Sequence, residues 1–160
     1  MKPDGAASLG ALYSASVLAE AARHLEACHP EEGCGAIVRL PDGAQAFLPV
    51  RNVAEEPGAF AFDLREQISL WEAQDRGDHR IEAIVHSHCD APAALSERDR
   101  AGARLGDGLP CAFPGLDWLV FSIRGPEMNA KCAEIRLFRW VGGDLEEAGA
   151  FPVARPGANW

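Results

Sequence analysis

Two imidazoles on alternate residues, His86 and His88, are followed by Ser96 and Asp99, which stand three residues apart. Zinc takes imidazole nitrogen and carboxylate oxygen, and a catalytic zinc site supplies three such ligands while leaving a fourth position to water. His86, His88 and Asp99 are the three candidate ligands. The stretch Arg80-Ile-Glu-Ala-Ile-Val85 reads as a strand. Continuing its two-residue period puts both histidine side chains on one face where the strand runs out. Ser96 to Leu105 reads as a helix that opens on an N-cap serine with an acid three residues on, the signature of a helix start. That separation stacks Ser96 and Asp99 on one helix face. The loop from Cys89 to Leu95 is long enough to fold the helix start back over the strand end.

A capping box alone would explain Ser96 with Asp99, and surface or core histidine alone would explain His86 with His88. Their joint occurrence at this spacing favours a site. The pattern resembles the JAMM signature of the MPN-domain zinc metallopeptidases, His-x-His-x7-Ser-x-x-Asp, matched here at every fixed position. That family also places a glutamate before x-Cys-Gly at a strand start. His29-Pro-Glu-Glu-Gly-Cys-Gly35 offers it as Glu32. Glu31 is a competing acid, but only Glu32 has the spacing. The similarity extends over about residues 15 to 152 and is that of bacterial stand-alone members.

The resemblance implies an α/β (α+β) single domain, a curved mixed β-sheet flanked by helices with cytidine-deaminase-like layering. It implies Zn2+ as cofactor, held by His86, His88 and Asp99, with Glu32 and Ser96 catalytic. Zinc lowers the pKa of its water from 15.7 towards about 7. Glu32 would take the water's proton and pass it to the leaving amine. The Ser96 hydroxyl would donate to the tetrahedral oxyanion. The implied partner is a ubiquitin-like or sulfur-carrier protein ending in Gly-Gly, with an adenylating E1-like enzyme as a second. The bond cut would be a peptide or isopeptide bond at that tail, whose small glycines a narrow groove admits and an edge strand can bind by β-augmentation. A non-catalytic MPN scaffold or binding module is the alternative, against which all four signature residues argue. A zinc deaminase needs His-x-Glu and Pro-Cys-x-x-Cys. Here His88 follows His86, and Pro114 stands where the second cysteine belongs.

The elements that must position these residues follow from patterning. Ser16 to Cys28 reads as a helix with Val17, Ala21, Leu25 and Cys28 on one stripe, stopped by Pro30. Gly35–Leu40 and Gln45–Val50 flank a Pro41-Asp-Gly turn as a hairpin. Ala59 to Phe62 alternates as a short strand, Leu64 to Asp75 reads as a second helix, and strands are expected near Asp117 to Ile123, Ala133 to Val141 and Leu145 to Phe151. The expected organisation is a loose N-terminus over 1–12, one domain over 13–152 and a loose tail over 153–160 that includes Trp160.

With 160 residues the chain suits one domain with a sizeable core. A net charge of -9 disfavours nucleic acid, whose phosphates call for clustered Lys and Arg. No apolar run approaches the roughly 20 residues of a membrane span, and the N-terminus lacks a signal-peptide pattern. Five cysteines at irregular spacing argue against a disulfide framework and for reduced thiols, so the expected location is cytoplasmic. Cys89 directly follows His88 and is a weak competitor as ligand or nucleophile. Cys34 reads as a packed strand residue, Asp90 as a turn residue, and His24, His29 and His79 as histidines without ligand partners.

Overall fold

The computed structural model describes residues 8–103, 115–125 and 129–153. Ten elements follow in chain order: α1 (Leu9–Leu12), α2 (Ala15–Cys28), β1 (Cys34–Arg39), β2 (Gln45–Val50), α3 (Leu64–Asp75), β3 (Arg80–Cys89), α4 (Glu97–Gly102), β4 (Asp117–Arg124), β5 (Lys131–Val141) and β6 (Asp144–Pro152). The strands form one mixed sheet in the order β2-β1-β3-β4-β5-β6. Only β3 and β4 run parallel; the other pairs are antiparallel. The expected α+β architecture is therefore the observed one.

The helices lie on both faces of the sheet. Val17, Leu18, Ala21 and Leu25 of α2 are buried against Ile37, Phe47, Val85, Leu119 and Leu137 on one face. On the other, Leu70 of α3 packs with Cys34, Ala36, Val38 and Ile81, and Ala103 after α4 packs with Ile84, Trp118, Val120 and Phe138. Apolar side chains on both faces explain the apolar runs Ala36–Val38 of β1 and Trp118–Phe121 of β4.

A bulge sets which way β3 faces. Ile37 of β1 pairs with Ala83, but its neighbour Val38 pairs with Ile81, so Glu82 is an extra residue. Such an insertion reverses the alternation on either side of it. Ile81 consequently lies on the same side as Ile84, while Ala83 and Val85 turn towards α2. Counting on by twos from Ile84 brings His86 and His88 to the side opposite α2. Ser87 falls between them, fully buried, and its hydroxyl accepts the Gly33 N–H at 2.9 Å.

Three local expectations are revised. β3 does not stop at Val85 but continues through both histidines to Cys89, because β4 pairs with it as far as Ile123. Ala59 to Phe62 forms no strand beyond one bridge between Asn52 and Phe62. Residues 9–12, read as part of a loose start, form a helical turn whose Leu9 is buried in the α2 core. Leu105, the Pro110-Cys111 stretch, Pro114 and Trp160 lie outside the described residues. No described helix is long and apolar enough to cross a membrane.

Candidate metal centre

His86 and His88 sit at the C-terminal end of β3, and both are buried. Asp99 comes from the first turn of α4. Ser96 caps that helix: its Oγ accepts the Asp99 N–H at 3.0 Å, and Asp99 Oδ2 accepts the Ser96 N–H at 2.9 Å. The capping box is real, yet it does not exhaust the carboxylate. Asp99 is only 6% exposed and its two oxygens also face the imidazoles.

The three side chains converge. His86 Nε2 and His88 Nε2 are 3.2 Å apart, His88 Nε2 lies 3.1 Å from Asp99 Oδ2, and His86 Nε2 lies 3.4 Å from Asp99 Oδ1. Zinc bonds of about 2.0–2.1 Å in a tetrahedron separate neighbouring donors by roughly 3.3 Å. Each observed spacing is close to that separation, with His88 facing Asp99 Oδ2 and His86 facing Oδ1. Two ring nitrogens meeting across a buried carboxylate form a donor set suited to a divalent ion, and among the described residues these three are the group that could hold a metal. His88 is also oriented from behind, since its Nδ1 lies 2.9 Å from the Pro92 carbonyl. With Nδ1–H donating there, Nε2 keeps its lone pair for a metal.

Burial and neighbouring charges act in opposite senses at the two imidazoles. Burial pulls His86 below the ordinary imidazole range. At His88 burial acts in the same direction, but the Asp99 carboxylate and the Pro92 carbonyl outweigh it and hold the ring above that range. Burial opposes the Asp99 charge; the two imidazoles and the Ser96 N–H overcome it, and the carboxyl is held well below the usual carboxylate range. A cation arriving here meets an ionised Asp99, and its charge would oppose protonation of either ring.

Glu32, in the segment leading into β1, is 8% exposed, and its Oε2 has no hydrogen-bond partner among the described residues. Burial pushes its pKa up to about 7; His88 and Arg98 oppose that rise and Asp99 adds to it. Glu31 is exposed, so geometry separates two acids that the sequence leaves side by side. Glu32, His88, Ser96, Cys89 and Gly58 line one cavity of about 300 Å³. The structure thus brings all five candidate residues to one place.

The weaker candidates find other partners. Cys89 Sγ donates to the Glu31 carbonyl, and burial, with Glu32 and Asp90 nearby, pushes its thiol up to about 11. Asp90 adopts a left-handed backbone (φ 57), accepts the Gly125 N–H at 2.8 Å and faces His29 Nε2 at 2.9 Å, which makes it a turn residue. Cys34 is buried in β1, as expected. Sequence reasoning missed Asn52 and Phe60. Asn52 binds the Glu32 carbonyl at 2.9 Å, and Phe60 stacks on the His86 ring. The available signals were an asparagine two residues past a strand and two phenylalanines on alternate residues, and neither pattern names a site by itself.

Residues 14–136 match the family described as prokaryotic homologs of the JAB domain. The chain is 31% identical over 144 residues to a desampylase of Haloferax volcanii, covering 88% of this chain and 91% of that protein. In fold it resembles the solution structure of protein DSY2949 from Desulfitobacterium hafniense (TM-score 0.61, 24% identity, 82% of this chain and 85% of that one). It also resembles that of a protein from Salinibacter ruber (TM-score 0.54, 22% identity, 91% and 92%). The spacing of His86, His88, Ser96 and Asp99, the mixed sheet that gathers them and the match over residues 14–136 agree, and the chain belongs to the prokaryotic JAB family, the JAMM/MPN-domain proteins.

Proposed function

We propose that this protein is a zinc-dependent metallopeptidase that hydrolyses a peptide or isopeptide bond at the C-terminal Gly-Gly tail of a ubiquitin-like or sulfur-carrier protein. The observation that carries the reading is a buried carboxylate, Glu32, with an unpartnered oxygen beside a convergent His86–His88–Asp99 donor set. A buried carboxylate oxygen without a partner costs stability and is hard to explain by packing. That cost argues against a scaffold that merely inherited the residues. Similarity to a desampylase supports a hydrolase.

His86, His88 and Asp99 would hold the zinc, which when bound supplies Lewis acidity and renders a water molecule acidic enough to attack at neutral pH. Glu32 is matched to the proton transfers, because a base that titrates near the working pH can both accept a proton and return it to the leaving amine. The Ser96 Oγ accepts from the Asp99 N–H, so its own proton is left to donate to a developing oxyanion. A reducing, cytoplasmic setting belongs to the same reading, and the described cysteines Cys28, Cys34, Cys89 and Cys132 are all free.

The test presents the protein with a ubiquitin-like protein whose Gly-Gly is extended by a peptide, and with the same protein joined to a lysine side chain. Mass spectrometry should find cleavage directly after Gly-Gly that a chelator stops and added zinc restores. Cleavage unaffected by chelation, or none of either substrate by zinc-loaded protein, would overturn the proposal.

A further inference from the structure

His86 and His88 are held in different ways. A hydrogen bond from the other ring nitrogen to a carbonyl or carboxylate is the usual device for orienting a ligating imidazole. His88 has it, through Pro92. His86 does not: its Nδ1 is buried without a hydrogen-bond partner among the described residues. What surrounds the ring is aromatic. Phe60 lies almost parallel to it, with ring centroids 4.2 Å apart and planes 18° apart. Trp118 meets it edge-on at 6.0 Å and 81°.

These two neighbours differ in how they are themselves fixed. Trp118 belongs to β4 and is 2% exposed, so the sheet sets its place. Phe60 is half-buried and lies in the irregular stretch between β2 and α3, where Val53 and residues 55–58 are exposed. Phe60 and Phe62 pack against the buried residues of this face, and Val53 N–H donates to the Ala61 carbonyl at 2.9 Å. Asn52 ties that stretch down with every polar atom of its side chain. Its Nδ2 donates to the Glu32 carbonyl at 2.9 Å and to the Ala59 carbonyl at 3.0 Å. Its Oδ1 accepts the Ala54 N–H at 2.9 Å and the Ala61 N–H at 3.0 Å. The bonds to Ala59 and Ala61 bracket Phe60 on both sides.

We propose that Phe60 is a positioning residue for the metal centre, pressed flat on the His86 ring by the four hydrogen bonds of Asn52, and that it sets that ring's plane as the Pro92 carbonyl sets His88's. A stacked pair resists tilting because face-to-face contact is lost as soon as the planes open. Rotation of the ring would swing Nε2 away from Asp99 and His88. Asn52 also fixes the Glu32 backbone, so one side chain sets the approach of the base-bearing residue and the plane of a ligand together. The inference rests on the metallopeptidase reading in needing a metal, and it goes beyond that reading by naming what holds the ligand still.

The probe is Co2+ added to metal-free protein, with affinity measured by competition against a chromophoric chelator and ligand geometry by the visible d–d absorption. Phe60→Leu, which keeps apolar bulk but loses the flat face, should weaken cobalt binding on the order of tenfold and alter the band. Phe60→Tyr should restore both. Asn52→Asp keeps the acceptors for Ala54 and Ala61 but loses both donors, and should weaken binding about 10- to 100-fold, as loss of an orienting partner does elsewhere. Each titration is run well below the Tm of the metal-free variant. Wild-type affinity and spectrum in Phe60→Leu would overturn the proposal, as would losses across the Leu, Tyr and Asp variants that follow Tm rather than the presence of the ring. Failure of the wild-type protein itself to bind cobalt would instead remove the metal centre.

Discussion

The two ends of β3 carry polar side chains of opposite kinds. At its start, beside the bulge, every charge has found a partner. Glu82 accepts from Arg39 at 2.6 and 3.1 Å, from Arg80 at 2.9 Å and from Gln45 at 2.8 Å. Next to it Asp117 takes the Tyr13 hydroxyl at 2.6 Å and both ends of the Arg139 fork at 3.0 and 3.2 Å. At its finish, His86, His88, Asp99 and Glu32 are buried, with Arg98 nearby. That arginine is itself paired with Glu56 at 2.6 Å. A polar network that exists to close a fold neutralises itself. One that leaves a buried carboxylate oxygen unpaired beside converging ligand atoms has capacity for a further group.

That contrast can be broken first at Glu32. Glu32→Gln should lower hydrolysis by about 10²- to 10⁴-fold, the typical worth of a general base, without loss of stability. Its folded pKa is raised, so the wild-type carboxyl favours folding fully only below the ordinary glutamate value of about 4.3. That preference fades as pH rises through about 7. Metal-free Glu32→Gln should therefore melt no lower than wild type at pH 8, and a markedly lower Tm would make Glu32 a structural residue. Ser96→Ala is next, with kcat down by about 10²–10³ for loss of an oxyanion donor and about 1 kcal/mol lost with the cap. A stability loss with unchanged kcat would leave Ser96 a cap alone.

The other end should answer in the reverse sense. Asp117→Ala strands Tyr13 and Arg139 and should cost about 2 kcal/mol by denaturant unfolding, with activity per folded molecule unchanged. Smallest is Glu82→Gln. Burial opposes the Glu82 charge, but Arg39, Arg80 and Gln45 outweigh it and hold the carboxyl below its usual range. Its stabilisation is therefore full above about pH 4.3 and is lost as pH falls through the depressed folded value. The variant should lose under about 1 kcal/mol at neutral pH and show a flatter acid limb. An unaltered acid limb would mean that these pairs contribute nothing.

The two ends were unequally legible in the sequence. A strand period and a helix start are local, and they sufficed to bring His86, His88, Ser96 and Asp99 together on paper. Helix α3 was readable to the residue from its own composition, because Asp63 before Leu64 is a local cap. What escaped depends on contacts distant in sequence. β3 extends past Val85 only because β4 pairs with it. The Glu82 bulge exists only in the register with β1. Ala59 to Phe62 alternates like a strand, yet Asn52 captures the Ala59 carbonyl and Ala61 N–H that a strand would have offered a neighbour. Leu9 is buried because α2 and the sheet leave room for it, which nothing in residues 1–12 announces.

The most direct test is the metal content of purified protein dialysed against zinc and then against buffer. One zinc per chain in the wild type, and none in His88→Ala or Asp99→Ala variants that still fold, is the predicted result. Zinc retained equally by those variants, or absent from a folded wild-type protein that nevertheless cleaves its substrate, would contradict it.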